Sequence, residues 1–188
     1  MSYIFTCLLT VLLLSSCAVS TINNSASLDN DKATIMVTLK SNYAGIDSVW
    51  NAKPELLFSP IEKSTNDHKL VFDKHNQTIM FQLPPGEYSF RGIILAEHYL
   101  WFIDKHDWRL VAEKGKINYI GEITLDLHWQ NGPIIEKFNN EKKYSFAKEY
   151  IAQYRSNDLG SLIDSFSEIP LGLMTRHQGP ILYIPLVY

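Results

Sequence analysis

The stretch "EHYLWFIDKHDWRL" brings His98, Asp104, His106 and Asp107 within ten residues of one another. Two imidazoles and two carboxylates are the donor types that hold a zinc ion or run acid–base chemistry. Their spacing matches no helix-borne ligand pattern such as HExxH. "DKHD" also falls where a hairpin turn is expected, and exposed turn residues account for it equally well. We therefore expect no metal site and no catalytic set. His98, His106 and Asp107 remain the residues a metal-dependent hydrolase would use. Asp126 and His128 share a strand face, but no Ser or Cys nucleophile accompanies them, so they form no triad. No glycine-rich phosphate loop occurs, and no cofactor is expected. Trp50, Trp101, Trp108 and Trp129 could stack on a sugar ring, with Trp101 and Trp108 the nearest pair. Large aromatics in a small β domain more often fill its core.

A different chemistry is available at Cys17. It is one of two cysteines; the other, Cys7, lies inside the apolar run "IFTCLLTVLLL". A disulfide between them would close a small loop and stabilise little. Zinc would need further thiolates or a Cys/His cluster. The apolar run has the length of a signal-peptide core and is short for a membrane span. Small residues follow at once: Ser15, Ser16, then Cys17.

Leu14-Ser15-Ser16-Cys17 resembles the lipobox of bacterial lipoproteins. In that family the thiol takes a diacylglycerol, a peptidase cuts just before the cysteine, and the new amino group is usually acylated too. The resemblance implies a signal peptide over residues 1–16 and lipidation, palmitate included, at Cys17. It also implies a sorting role for Ala18, since an Asp there commonly retains lipoproteins at the inner membrane of Gram-negative cells. The expected address is the outer membrane, facing the periplasm. "MSYIFTC" departs from the pattern, because it lacks the Lys or Arg that usually opens a signal peptide.

Composition narrows the partners. Hydrophobic residues make up 46% of the 188-residue chain and the net charge is −3. That supports one packed core. Charges are scattered, with no basic stripe, so nucleic acid is not an expected partner. The expected partners are the membrane, through the anchor, and an envelope protein.

Behind any site stand the elements that position it. Residues 17–32 are polar, rich in Ser and Asn, and read as an acylated tether. "ATIMVTLK" alternates, with Ile35, Val37 and Leu39 on one face and Thr34, Met36 and Thr38 on the other. "GIDSVWNAKPELLFSP" is less regular, and its prolines predict a loop or edge segment. In "FQLPPGEYSF", Pro85 and Gly86 fit the centre of a type II turn. "GKINYIGEITLDLHW" predicts one long strand, with Ile117, Tyr119, Ile123, Leu125 and Leu127 on one face. Helix spacing at Tyr144, Ala147, Ile151 and Tyr154, with Asn140 as cap, predicts a helical extension over about 139–167. Leu159, Leu162, Ile163 and Phe166 continue it. "GPILYIPLVY" ends the chain as an edge strand or packed extended segment.

"LPPGEYSFRGI" followed by "AEKGKINYIGEITLDL" is similar to small β-sandwich lipoproteins and to transthyretin-like and carboxypeptidase-regulatory-like domains. The matching residues are Leu83, Pro85, Gly86 and Tyr88, then Gly115, Tyr119, Ile120 and Gly121. The resemblance implies fold and is nearly silent on activity. The expected fold is mainly β: an antiparallel immunoglobulin/transthyretin-like β-sandwich over 33–188 with one or two C-terminal helices. The expected function is a non-enzymatic interaction or structural role in the cell envelope. A glycan- or small-ligand-binding lipoprotein is the first alternative, and the hydrolase is the second.

Overall fold

The computed structural model describes residues 27–44, 54–62, 67–73, 76–95, 99–103, 108–129, 133–167 and 174–177. The alternating stretch forms strand β1 (Ala33–Ala44). Ala33, Ile35, Val37 and Leu39 enter the main core, as the period of two requires. Antiparallel to β1 lies β4 (Asn76–Leu83). On its other side lies β8 (Ile117–Trp129), and that pairing is parallel. β9 (Pro133–Glu141) follows β8 antiparallel along Glu122–Trp129. β10 (Leu162–Asp164) pairs parallel with Ile117–Tyr119. The first sheet is therefore mixed rather than antiparallel throughout. The chain visits the second sheet between β1 and β8, so no hairpin forces them antiparallel.

The second sheet runs β3 (His68–Val71), β2 (Glu55–Pro60), β5 (Gly86–Leu95), β6 (Tyr99–Ile103), β11 (Met174–His177). β7 (Arg109–Ala112) pairs with the first half of β5 and β6 with the second. The segment expected as a loop or edge contains β2, an interior strand. Its prolines sit just before it and at its last residue, where no ladder bond is lost.

Both sheets feed one core. Ile35, Leu39, Phe81 and Leu125 come from the first, and Leu56, Phe58, Phe90 and Leu110 from the second. Each fully buried Leu, Ile or Phe contributes about 1.5–3 kcal/mol. The chain crosses between sheets at Pro84-Pro85. Neither proline can donate to a ladder, so pairing stops and the chain changes sheet. The expected type II turn is absent: Gly86 has φ +154°, far from the +80° that turn needs, and already belongs to β5.

β8 does not keep one face. Met36 faces Tyr119 and Thr38 faces Glu122, so Ile120 and Gly121 together oppose Val37. This β-bulge reverses the in–out phase. Ile120, Ile123, Leu125 and Leu127 point into the main core. Ile117 and Tyr119 point outward, against the single face expected from alternation. Gly121 takes φ +108°, which a side chain rarely tolerates.

The outward pair creates an apolar patch that must be covered. With Met36 and Met80 it forms a second, smaller core, roofed by Ala147 and Ile151 of helix α1 (Tyr144–Tyr154) and by Leu162. The helical extension is thus shorter than expected. After α1 come a 3-10 turn (Ser156–Ser161) and then β10. Asn140 is no cap; it is buried in β9 and its Nδ2 donates to the Ile120 carbonyl at 3.5 Å. Lys143 holds the cap position without a side-chain bond. Leu162 and Ile163 leave the helical pattern because β9 ends its pairing at Glu122, which opens the β8 edge beside Ile117 to them. The segment "GPILYIPLVY" lies outside the described residues.

Candidate functional site

Cys17, Ala18, Trp50, His98, Asp104, His106 and Asp107 lie outside the described residues. Trp101 is placed by its backbone alone, between Ile93 and Arg176 in the second sheet. Trp129 ends β8 opposite Pro133. Trp108 is a core residue, 1% exposed. Its ring lies 5.8 Å from Phe58 and 5.7 Å from Phe90, and its Nε1 donates to the Ser167 carbonyl at 2.6 Å. It has no open face on which a sugar could stack. Asp126 accepts a hydrogen bond from Asn42 Nδ2 at 2.8 Å across β1 and β8. Among the described residues, no group of three or more His, Cys, Asp or Glu is placed to hold a metal ion.

Two polar clusters are built into the frame. Asn118 is fully buried and serves as a hub. Its Nδ2 donates to the Thr34, Glu113 and Lys116 carbonyls at 3.1–3.2 Å. Its Oδ1 accepts from the Glu113 N–H at 2.9 Å and from Ser165 Oγ at 3.3 Å. One side chain thereby ties the β7–β8 turn to β1 and to the segment after β10. The second cluster lies at the β2–β3 edge. Ser59 Oγ donates to Asp67, while His68 packs edge-on to Tyr88 at 5.6 Å. His68 is 8% exposed and its Nδ1 has no hydrogen-bond partner. Burial lowers its pKa below 6.5, and the Asp67 charge offsets part of that. The imidazole is packed in the core against Tyr88.

Charged pairs line the outer face of the first sheet beyond α1. Lys40 Nζ meets the buried Glu122 carboxylate at 2.8 Å. Lys143 meets Glu141 at 2.8 Å and holds that carboxyl below its usual range. The exposed Lys143–Glu141 pair contributes little to stability.

The surface that stands apart is on α1. Phe146, Tyr150 and Tyr154 follow one another at four-residue intervals, so they form a row along one flank of the helix. The Phe146 and Tyr150 rings are 6.2 Å apart, and the Tyr150 and Tyr154 rings 4.8 Å. Tyr150 leans on the second core, whereas Phe146 is 39% and Tyr154 50% exposed. Tyr144 lies on the opposite flank beneath the Lys148 ammonium, 4.9 Å from its ring centre. The row forms because the i, i+4, i+8 spacing stacks rings while Ala147 and Ile151 bind the helix to the sheet.

No family model, curated protein or solved structure matches this chain. Helix spacing groups Tyr154 with Tyr144, Ala147 and Ile151, but Tyr154 is half exposed and stands in the row instead. The signal for the row was nonetheless present, as Phe-x-x-x-Tyr-x-x-x-Tyr within "YSFAKEYIAQY". Among the described residues, no helix is long and apolar enough to cross a membrane.

Proposed function

We propose that the chain is a lipid-anchored lipoprotein of the cell envelope with a non-enzymatic interaction role. The observation that carries this reading is Leu14-Ser15-Ser16-Cys17, which follows an apolar run of signal-peptide length. Acylation at Cys17 supplies the anchor, since two or more buried acyl chains hold stably. Ala18 directs the protein to the outer membrane, facing the periplasm. The domain is an immunoglobulin/transthyretin-like β-sandwich. Support for that fold comes from the core shared by both sheets and from the bond between Tyr88 and Pro84, a corner device of such sandwiches. Support for an interaction role comes from the exposed aromatic row on α1.

Wild type and Cys17→Ser are compared for incorporation of labelled palmitate and for membrane fractionation. The wild type incorporates label and sediments with membranes, and the variant does neither. Equal labelling of the two sinks the reading.

A further inference from the structure

The aromatic row leaves two large rings partly in water although the helix that carries them is otherwise well docked. Tyr154 has an apolar body and a polar tip, which partitions to the boundary between acyl chains and headgroups, and Phe146 adds an apolar ring on the same flank. The place of the row in the fold is the second observation. Leu28 and Tyr150 pack against the same small core. From there the chain is pinned to the β7–β8 turn: Asp31 meets Lys114 at 2.6 Å, and the Gly115 N–H donates to the Lys32 carbonyl at 2.8 Å. The chain thus departs toward Cys17 from the side of the domain that carries α1. Ten residues lie between Leu28 and Cys17. Fully extended they reach no more than about 40 Å, and as a coil about 20 Å. A tether of that reach, leaving from the α1 side, lets that side meet the bilayer that holds Cys17.

We infer that Phe146, Tyr150 and Tyr154 form a membrane contact that seats in the headgroup layer of the bilayer holding the anchor. This inference rests on the lipoprotein reading. The row runs two helical turns along one flank, so α1 lies in the plane of the surface. Glu149 lies beside it, Lys148 sits over Tyr144 on the opposite flank, and Lys142 and Lys143 at the start of α1 are paired with Asp164 and Glu141, so no polybasic patch borders the row. Attraction is thus apolar and insensitive to salt, unlike a polybasic contact. The contact orients a domain that the acyl chains alone would leave free to turn.

The test uses the full chain, acylated and purified, with single cysteines at Gln153→Cys or Val111→Cys. Gln153 borders the row, whereas Val111 is exposed on the outer face of the second sheet. Acylation blocks Cys17, and Cys7 leaves with the signal peptide, so an environment-sensitive fluorophore labels one site. Vesicles of phosphatidylethanolamine and phosphatidylglycerol carry a nitroxide on their headgroups. The probe at 153 is quenched several-fold more than the probe at 111, and the difference persists in high salt. Adding Phe146→Ser and Tyr154→Ser removes the difference while the thermal midpoint stays near that of wild type. Equal quenching at 153 and 111 on protein that carries label from palmitate overturns the membrane contact alone, and leaves the row to a protein partner. A chain that takes no palmitate overturns both the anchor and the contact.

Discussion

Tyr88 reaches back four residues and donates its hydroxyl to the Pro84 carbonyl at 2.7 Å. The bond closes the corner at which the chain leaves the first sheet for the second. Pro84 and Pro85 offer no N–H to either ladder, so the corner depends on this side chain. Sandwich folds use the same device where a chain turns from one sheet to the other.

Tyr88→Phe removes that bond and leaves the carbonyl without its partner. The expected loss is about 1–2 kcal/mol, read as a lower urea midpoint with an unchanged slope. Burial pushes the Tyr88 hydroxyl up to about 12, from 10.0. Above pH 10 the unfolded chain releases this proton while the folded chain keeps it, so stability falls as pH rises from 10 to 12. Tyr88→Phe weakens that alkaline loss. Tyr119, also raised by burial, retains part of it.

Gly121→Ala tests the bulge that turns Ile117 and Tyr119 outward. A Cβ there meets Phe166 Cδ2 at 2.8 Å and the Glu141 carbonyl at 2.9 Å, on a backbone with φ +108°. Strain and clash together cost about 2–4 kcal/mol. Gly160→Ala has open space around it and changes stability by less than about 0.5 kcal/mol. Equal effects from the two substitutions, measured by denaturant unfolding, would refute the bulge as the source of the phase change.

These positions also mark how far the sequence carries. Alternation in "ATIMVTLK" was enough for β1, because each step of two residues repeats one environment. The same reasoning failed at Gly121, where one extra residue inverts the phase and local spacing does not announce it. It failed again at Leu162, whose strand exists only because β9 leaves part of the β8 edge open. Asn140 looked like a helix cap from its type, yet it is buried in a strand. Long-range pairing decided both, and such pairing is invisible in a short window. At the candidate surface, four-residue spacing made Phe146, Tyr150 and Tyr154 legible as a row. Their exposure was not, because it depends on which flank Ala147 and Ile151 turn toward the sheet.

His68 makes folding sensitive to mild acid. Its folded-state pKa lies below 6.5, so the unfolded chain binds the proton first. Stability is complete above 6.5 and declines as pH falls through that value toward the lower folded pKa. His68→Leu, which keeps the site apolar beside Tyr88, flattens that decline below pH 6.5. An unchanged slope in the variant, followed by urea midpoints across that range, would assign the acid sensitivity to other groups.

The two flanks of α1 separate in stability. Ile151 is fully buried in the second core, so Ile151→Ala opens a cavity and costs about 2–4 kcal/mol. Phe146 and Tyr154 contribute exposed ring surface and i, i+4 stacking, worth about 0.5 kcal/mol per pair. Phe146→Ser and Tyr154→Ser together are expected to lower stability by about 1 kcal/mol or less. Thermal and urea unfolding of the three variants provides the check. A large loss from the serine pair would mean that the row serves packing, since a surface kept for contact with something outside the chain can be removed without unfolding the helix beneath it.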